Sequence, residues 1–387
     1  MLSPMANPFK PTFGVAPPLL VGRGELLDLF EEALEEGPGA PARATIYTGA
    51  RGTGKTVMLT AVEKLARNRG WLVISETATP GFLSRIVSEH LPAKLADQDP
   101  DAVKRRMTGV AAPLNVGGVT WATTERHQPV MGLRSQLDLL TDLLAEHGTG
   151  LLITLDEIHI QPRDELRELT STIQHAFREE REVAFVGAGL PSALSDVLND
   201  EVLTFVRRAD RHHLGAVTLG DVKRALREPI EVKGRAIAEP ELQSAAEATH
   251  GYPFLVQLIG YHVWRQHPAR FEIEPSDVDR GIEAARRRMG SLVHEPALKG
   301  LSAVDRTFLL AMARDDGPSR MADIAQRMGV DANYASQYRL RLIAAEVIEQ
   351  AEYGTVDFAL PYLREYLRDH AAALVERAPP VAGDSGS

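Results

Sequence analysis

Cysteine is absent from the 387 residues, which excludes disulfides and thiolate zinc sites. The 12 histidines show no ligand spacing, and their one adjacent pair, His212-His213, reads as loop. No run approaches the roughly 18 apolar residues that a membrane-spanning helix needs. Residues 1–13 are Pro-rich and lack an apolar signal core, which predicts a cytoplasmic chain with no membrane partner. An excess of positive charge is missing too. The 43 Lys and Arg against 53 Asp and Glu leave a net charge of -10, which argues against a broad nucleic-acid-binding surface but leaves room for a local patch. What remains is ordinary globular composition, 44% apolar and 25% charged, in a chain long enough for roughly two or three domains.

The strongest local signal is Gly49-Ala50-Arg51-Gly52-Thr53-Gly54-Lys55-Thr56, which fits the phosphate-loop pattern G-x-x-x-x-G-K-[ST] at every fixed position. A β-prone run at 44–48 precedes it, and a segment from Val57 to Arg69 with apolar residues at helical spacing follows. Glycines let consecutive backbone amides curl around phosphate oxygens, and the helix that starts near Lys55 points its positive end at the same anion. Residues Gly49 to Val57 are therefore expected to bind ATP. Lys55 would reach the β- and γ-phosphates, and the Thr56 hydroxyl would ligate Mg²⁺. The second half of such a site is Leu151-Leu152-Ile153-Thr154-Leu155-Asp156-Glu157, an apolar run that ends in two carboxylates. Asp156 would hold Mg²⁺ and Glu157 would polarise the attacking water, because phosphoryl transfer needs placement and charge compensation above all. His159, which completes a D-E-x-H string, reads as a supporting or surface residue.

Upstream stands Leu19-Leu20-Val21-Gly22-Arg23, then a helix over 25–36. This element, a helix and then a phosphate loop together resemble the AAA+ ATPases, most closely their origin-recognition-like and STAND branches. The resemblance covers roughly residues 21–370. It implies that Val21, Gly22 and Arg23 line an adenine pocket, and that Pro253 in Gly251-Tyr252-Pro253-Phe254 sits at a lid-helix start near the phosphates. It also implies a strand over 182–186 between the two phosphate-site strands, ending in a polar sensor. The Gly187 to Ser192 stretch departs from that pattern and leaves Ser192 as the candidate. An arginine that reaches a neighbouring subunit's ATP is implied among Arg207, Arg208 and Arg211, which precede an expected fifth strand at 214–217. Arg207 and Arg208 are the favoured pair, and a solvated basic loop is the alternative.

The rest of the chain falls into segments. Thr79 and Pro80 read as the cap and first turn of a helix to about residue 90. Residues 97–129 hold the basic cluster Lys104-Arg105-Arg106 and a hairpin over 110–124. From 219 helices dominate. After 301, helix, helix, turn, helix and hairpin read as a winged helix, with Asn333, Tyr334, Ser336, Gln337, Arg339 and Arg341 as groove candidates. That region holds nine arginines and no lysine against thirteen acids, a poor phosphate footprint. The expected architecture is α/β: an extended arm (1–18), a P-loop NTPase core with a parallel sheet flanked by helices (19–218), an all-α lid (219–298), a winged helix (299–372) and a disordered tail (373–387). The expected function is Mg²⁺-dependent ATP hydrolysis that moves the winged helix, acting on double-stranded DNA and in a homo-oligomer. The alternative is a regulatory switch that docks a protein partner, turns over slowly and does not bind DNA.

Overall fold

The computed structural model describes residues 6–12, 14–98, 131–158, 163–190 and 207–371. At its centre is a parallel sheet of five strands: β1 (Ala44–Thr48), β2 (Leu72–Thr77), β3 (Leu151–Asp156), β4 (Val183–Gly189) and β5 (Asp210–His213), in the order β2-β3-β4-β1-β5. The middle strands are mostly apolar because both of their faces are covered, and the buried Thr45 and Thr154 hydroxyls are paired, with the Ala42 carbonyl and with Glu63. Every residue of β1 and β4 is buried, and in β3 only the terminal Asp156 is part-exposed. As expected, β4 lies between β3 and β1. Helices α1 (Gly24–Glu36) and α2 (Lys55–Asn68) cover one face, where Phe30, Met58 and Val62 pack with Trp71. The other face carries α3 (Phe82–Arg85), a π-helical turn at Ile86–His90, α4 (Leu91–Gln98), α5 (Leu133–Ala145) and α6 (Arg163–Arg178).

Two expectations need correction. The fifth strand is the polar run Asp210–His213, not 214–217, and so the His212-His213 pair lies in a strand rather than the expected loop. An edge strand pairs on one side only, here with β1, and tolerates alternating polar side chains. The apolar Leu214 and Val217 instead cross toward the helices: the Leu214 amide donates to the Thr48 carbonyl (2.6 Å) and the Val217 amide to Gly251 (2.8 Å). Likewise Thr79 does not cap a helix. Gly81 is the cap of α3, at φ 83°, and Glu165 of α6 supplies the carboxylate, accepting from the Gly81 and Leu83 amides at 2.9 Å each.

Beyond the sheet come α7 (Leu219–Val232), α8 (Glu239–Glu247), α9 (Pro253–Gln266) and α10 (Pro275–Met289), with β6 (Ala236–Ile237) and β7 (Glu272–Ile273) paired in parallel between them. The Thr218 hydroxyl accepts from the Asp221 amide to start α7, and Glu274 with Asp277 forms a capping box on α10. After a second π-helical turn at Gly290–His294 the chain runs through α11 (Glu295–Lys299), α12 (Ala303–Met312), β8 (Ser319–Arg320), α13 (Met321–Met328), α14 (Ala332–Ala344), β9 (Ile348–Gln350), β10 (Thr355–Phe358) and α15 (Leu363–Asp369). The helices and the β9–β10 hairpin follow the expected order. The two-residue β8 was not foreseen, and it completes an antiparallel sheet β8-β10-β9. One apolar cluster runs from α7 to α15, joining Leu255 and Met289 to Phe308, Leu342 and Leu367 across residue 298. The hairpin expected over 110–124, the cluster Lys104 to Arg106, His159, Ser192 and the tail 373–387 lie outside the described residues.

Candidate functional site

The carboxyl ends of β1, β3 and β4 come together at one end of the sheet, where open parallel sheets place ligands. Register fixes this: Thr48 stands beside Gly189, and Leu155 beside Gly187. The loop between β1 and α2 then turns back through Gly49, Gly52 and Gly54, all at positive φ. At Gly49 a Cβ would meet the Leu214 carbonyl oxygen at 2.5 Å, so only glycine fits. Within the loop the Lys55 ammonium donates to the carbonyls of Gly49 (2.6 Å) and Ala50 (3.1 Å), and the Thr53 hydroxyl donates to Ala50 (2.7 Å). Burial lowers the Lys55 pKa, while Glu346, Glu157 and Asp156 pull it back up.

The two expected metal residues meet across a hundred positions of sequence. The Thr56 hydroxyl donates to Asp156 at 2.6 Å, and the other Asp156 oxygen accepts from the Glu157 amide at 2.8 Å. One hydroxyl and one carboxylate, with no cluster of three metal-ligating side chains among the described residues, suit Mg²⁺, which takes few protein oxygens and completes its shell with water and phosphate. Glu157 follows at φ 56°, a conformation that turns the chain out of the strand.

A cavity of about 530 Å³ opens over the loop, within the size range of small-ligand sites. Of the expected residues, Val21, Arg23, Arg51, Gly52, Thr53, Gly54, Lys55, Thr56, Val57, Glu157 and Pro253 line it. Gly22, Gly49 and Ala50 shape the backbone behind it, and Asp156 shares an adjoining hollow with Thr56, Glu63 and His90. Gly22 adopts φ 64° where a Cβ would crowd Val217 and Asp221, and the Arg23 guanidinium donates to the Gly215 carbonyl at 2.6 Å. The start of α9 closes the phosphate end. The Tyr252 hydroxyl donates to the Arg51 carbonyl, and the Phe254 amide donates to Gly52 at 3.3 Å. Arg207, Arg208 and Arg211 are exposed and line neither hollow.

Sequence reasoning missed three contributors. Lys10, Thr12 and Val15 line the cavity because the arm is docked: Phe9 is buried against Gly260, Asn7 donates to the Tyr261 carbonyl (3.0 Å) and the Lys10 amide donates to Gln257 (3.2 Å). The one available signal was Phe9, one of two Phe in a Pro-punctuated stretch. Val293 and Pro296 close the far wall. Glu346, two residues before β9, does not line the cavity but has Lys55 and Arg51 of the phosphate loop among its charged neighbours. No sequence pattern marks any of these, since each reaches the site only through tertiary packing.

Residues 19–186 match the AAA ATPase domain, and residues 291–367 match a domain of unknown function (DUF8462). No curated protein matches the chain. Among solved structures, the chain resembles a Walker-type ATPase of Pyrococcus abyssi with a TM-score of 0.62 and 18% identity over 90% of this chain and 96% of that one. Looser superpositions link it to Cdc6p of Pyrobaculum aerophilum (TM-score 0.47, 18% identity, 95% and 97% covered) and to the RuvB Holliday junction branch migration motor of Thermotoga maritima (TM-score 0.45, 17% identity, 90% and 95% covered). At this identity the first likeness speaks for fold, and the other two carry nothing further. The domain match and the fold together make residues 19–186 an AAA ATPase domain of the P-loop type.

Proposed function

We propose that this protein, built around an AAA ATPase domain of the P-loop type, binds ATP with Mg²⁺ in the cavity between the sheet and α9, hydrolyses it, and uses the nucleotide state to reposition its C-terminal helices and hairpin. The observation that carries this reading is the convergence of Lys55, Thr56, Asp156 and Glu157 at one end of the sheet, under a wall made by Tyr252 and Phe254. The loop amides and the Lys55 ammonium bind the phosphate tail, and Thr56 with Asp156 holds the cation, which supplies charge neutralisation when bound. Glu157 orients water at the terminal phosphate and accepts its proton. The apolar wall of Val21, Val217 and Val293 takes the base and excludes water. Only contacts that differ between ATP and ADP can drive a change of shape.

The test is Glu157→Gln. It should keep ATP bound while turnover falls roughly a hundredfold or more; unchanged turnover would remove Glu157 from the chemistry. Arg207 and Arg208 are proposed to act on the site of a neighbouring copy in a homo-oligomer. Turnover regained on mixing Arg207→Ala with Glu157→Gln chains would support that, and none regained in any mixture would count against it.

The C-terminal elements are read as a winged helix of origin-recognition-like type, acting on double-stranded DNA. A second reading, a STAND-type switch that docks a protein, is favoured by one observation. On α14, Leu340 is 60% exposed while Arg341 is tied to the buried Asp305 at 3.1 Å, and Tyr353 at the hairpin tip is fully exposed. Apolar side chains are thus exposed on both α14 and the hairpin, alongside the part-exposed Arg339 and the paired Arg341. DNA affinity that falls steeply with salt would support the first reading, and no binding at low salt would leave the second.

A further inference from the structure

Glu346 carries two unfavourable features at one residue. It follows the Ala345 cap of α14 with φ 56°, a left-handed conformation that usually falls to glycine or asparagine at a helix end. Its amide donates to the Ile343 carbonyl at 2.9 Å, and the following Val347 amide donates to Leu342 at 3.1 Å, so the chain is held in that turn. The residue is also 9% exposed, with both carboxylate oxygens buried and without a hydrogen-bond partner. Buried polar groups are nearly always paired, and backbone strain with an unpartnered carboxyl on the same residue marks a place where function outweighs stability.

What the carboxylate faces gives that function its chemistry. Its charged neighbours are Lys55 and Arg51 of the phosphate loop and Glu157 at the end of β3, while the Arg51 amide points toward it without closing a full hydrogen bond; Tyr252 is close enough to feel its charge. Burial pushes the Glu346 carboxyl up to about 7 although Lys55 and Arg51 pull it down. A buried carboxyl group contributed by the C-terminal elements thus lies near an anion-binding loop, with the lysine expected to reach the outer phosphates among its charged neighbours.

We propose that Glu346 sets the choice between nucleoside diphosphate and triphosphate: in the docked form its carboxylate takes the place beside Lys55 that a terminal phosphate needs. A diphosphate then fits beneath the docked C-terminal elements. A triphosphate meets two carboxylates, Glu346 and Glu157, and enters as the segment carrying Glu346 withdraws. Loss of the terminal phosphate on hydrolysis lets Glu346 return, which links nucleotide state to the position of α14 and β9 through one side chain. This rests on the nucleotide site proposed above and adds the residue that discriminates within it.

The test compares affinities of the full-length chain for Mg·ADP and for Mg with the non-hydrolysable β,γ-imido analogue of ATP, by calorimetry or displacement of a fluorescent nucleotide. Two neutral variants are used, Glu346→Gln and Glu346→Asn, the second because asparagine accepts the left-handed conformation. In both, affinity for the ATP analogue should rise about tenfold or more relative to ADP, as expected for removing a like charge from beside a phosphate. A ratio unchanged from wild type in both variants, with both nucleotides still binding, would overturn the role of Glu346 and leave the site intact. Binding of neither nucleotide by the wild-type chain would overturn the site and the role of Glu346 together.

Discussion

At the scale of single residues, the buried histidine His294 makes a pH-dependent claim. It is 1% exposed, its Nε2–H donates to the Pro361 carbonyl at 2.8 Å, and its Nδ1 has no partner. Burial lowers its pKa to about 4, against a smaller upward pull from Glu365 and the hydrogen bond. Below the ordinary pKa of about 6.5 the unfolded chain takes up a proton that the folded chain refuses, so stability falls as pH drops from about 6.5 to about 4. The loss should approach about 3 kcal/mol at the lower end. Urea denaturation across that window should show a slope that His294→Gln, which keeps a donor and does not titrate, reduces. Identical slopes for the two chains would contradict it. The same scale shows why some residues were legible and others not. Lys55, Thr56, Asp156 and Glu157 obey short-range spacing rules, because a phosphate loop and an acidic strand end are each built within a few residues. Lys10 reaches the cavity, and Glu346 the neighbourhood of the phosphate loop, only through the packing of distant segments, and neither has a local pattern.

At the scale of elements, the legible strands were those buried on both faces. β1, β3 and β4 are mostly apolar because a covered parallel sheet tolerates in its middle only those polar side chains that find a partner, as Thr45 and Thr154 do. The edge strand β5 escaped because its residues are Asp, Arg, His and His, while the apolar run after it serves to tie the loop after β1 to the turn before α9. α3 carries the same lesson, since its N-terminal amides are satisfied from a different helix. Glu165→Ala would leave the Gly81 and Leu83 amides without their acceptor, and should destabilise the fold by about 1–2 kcal/mol, the usual worth of a helix cap. Chemical denaturation measures this directly, and a change below a few tenths of a kcal/mol would show that water replaces the carboxylate without loss. Glu165→Gln should lie between the two.

At the scale of the whole molecule, one apolar cluster joins α7–α10 to the elements that follow, and the arm, α9, the turn at Gly290–His294 and Glu346 all converge on the phosphate loop. The sequence shows where segments change character, but a change of character is not a break in the core. Continuity of packing depends on which helix faces meet, and periodicity alone does not say that. The consequence is mechanical: the cavity is walled at once by the phosphate loop, α9 and the turn at Gly290–His294, so a nucleotide bound as proposed would touch layers that share one core with α14. All of this depends on the loop holding a nucleotide. The most direct test is a calorimetric titration of Mg·ADP into the full-length chain and into Lys55→Ala, with folding of both confirmed by circular dichroism. The account predicts one saturable site per wild-type chain and a loss of affinity of about a hundredfold or more in the variant, since a buried ammonium facing phosphate is removed. Equal affinity in the two chains, or no binding to a folded wild-type chain, would contradict it.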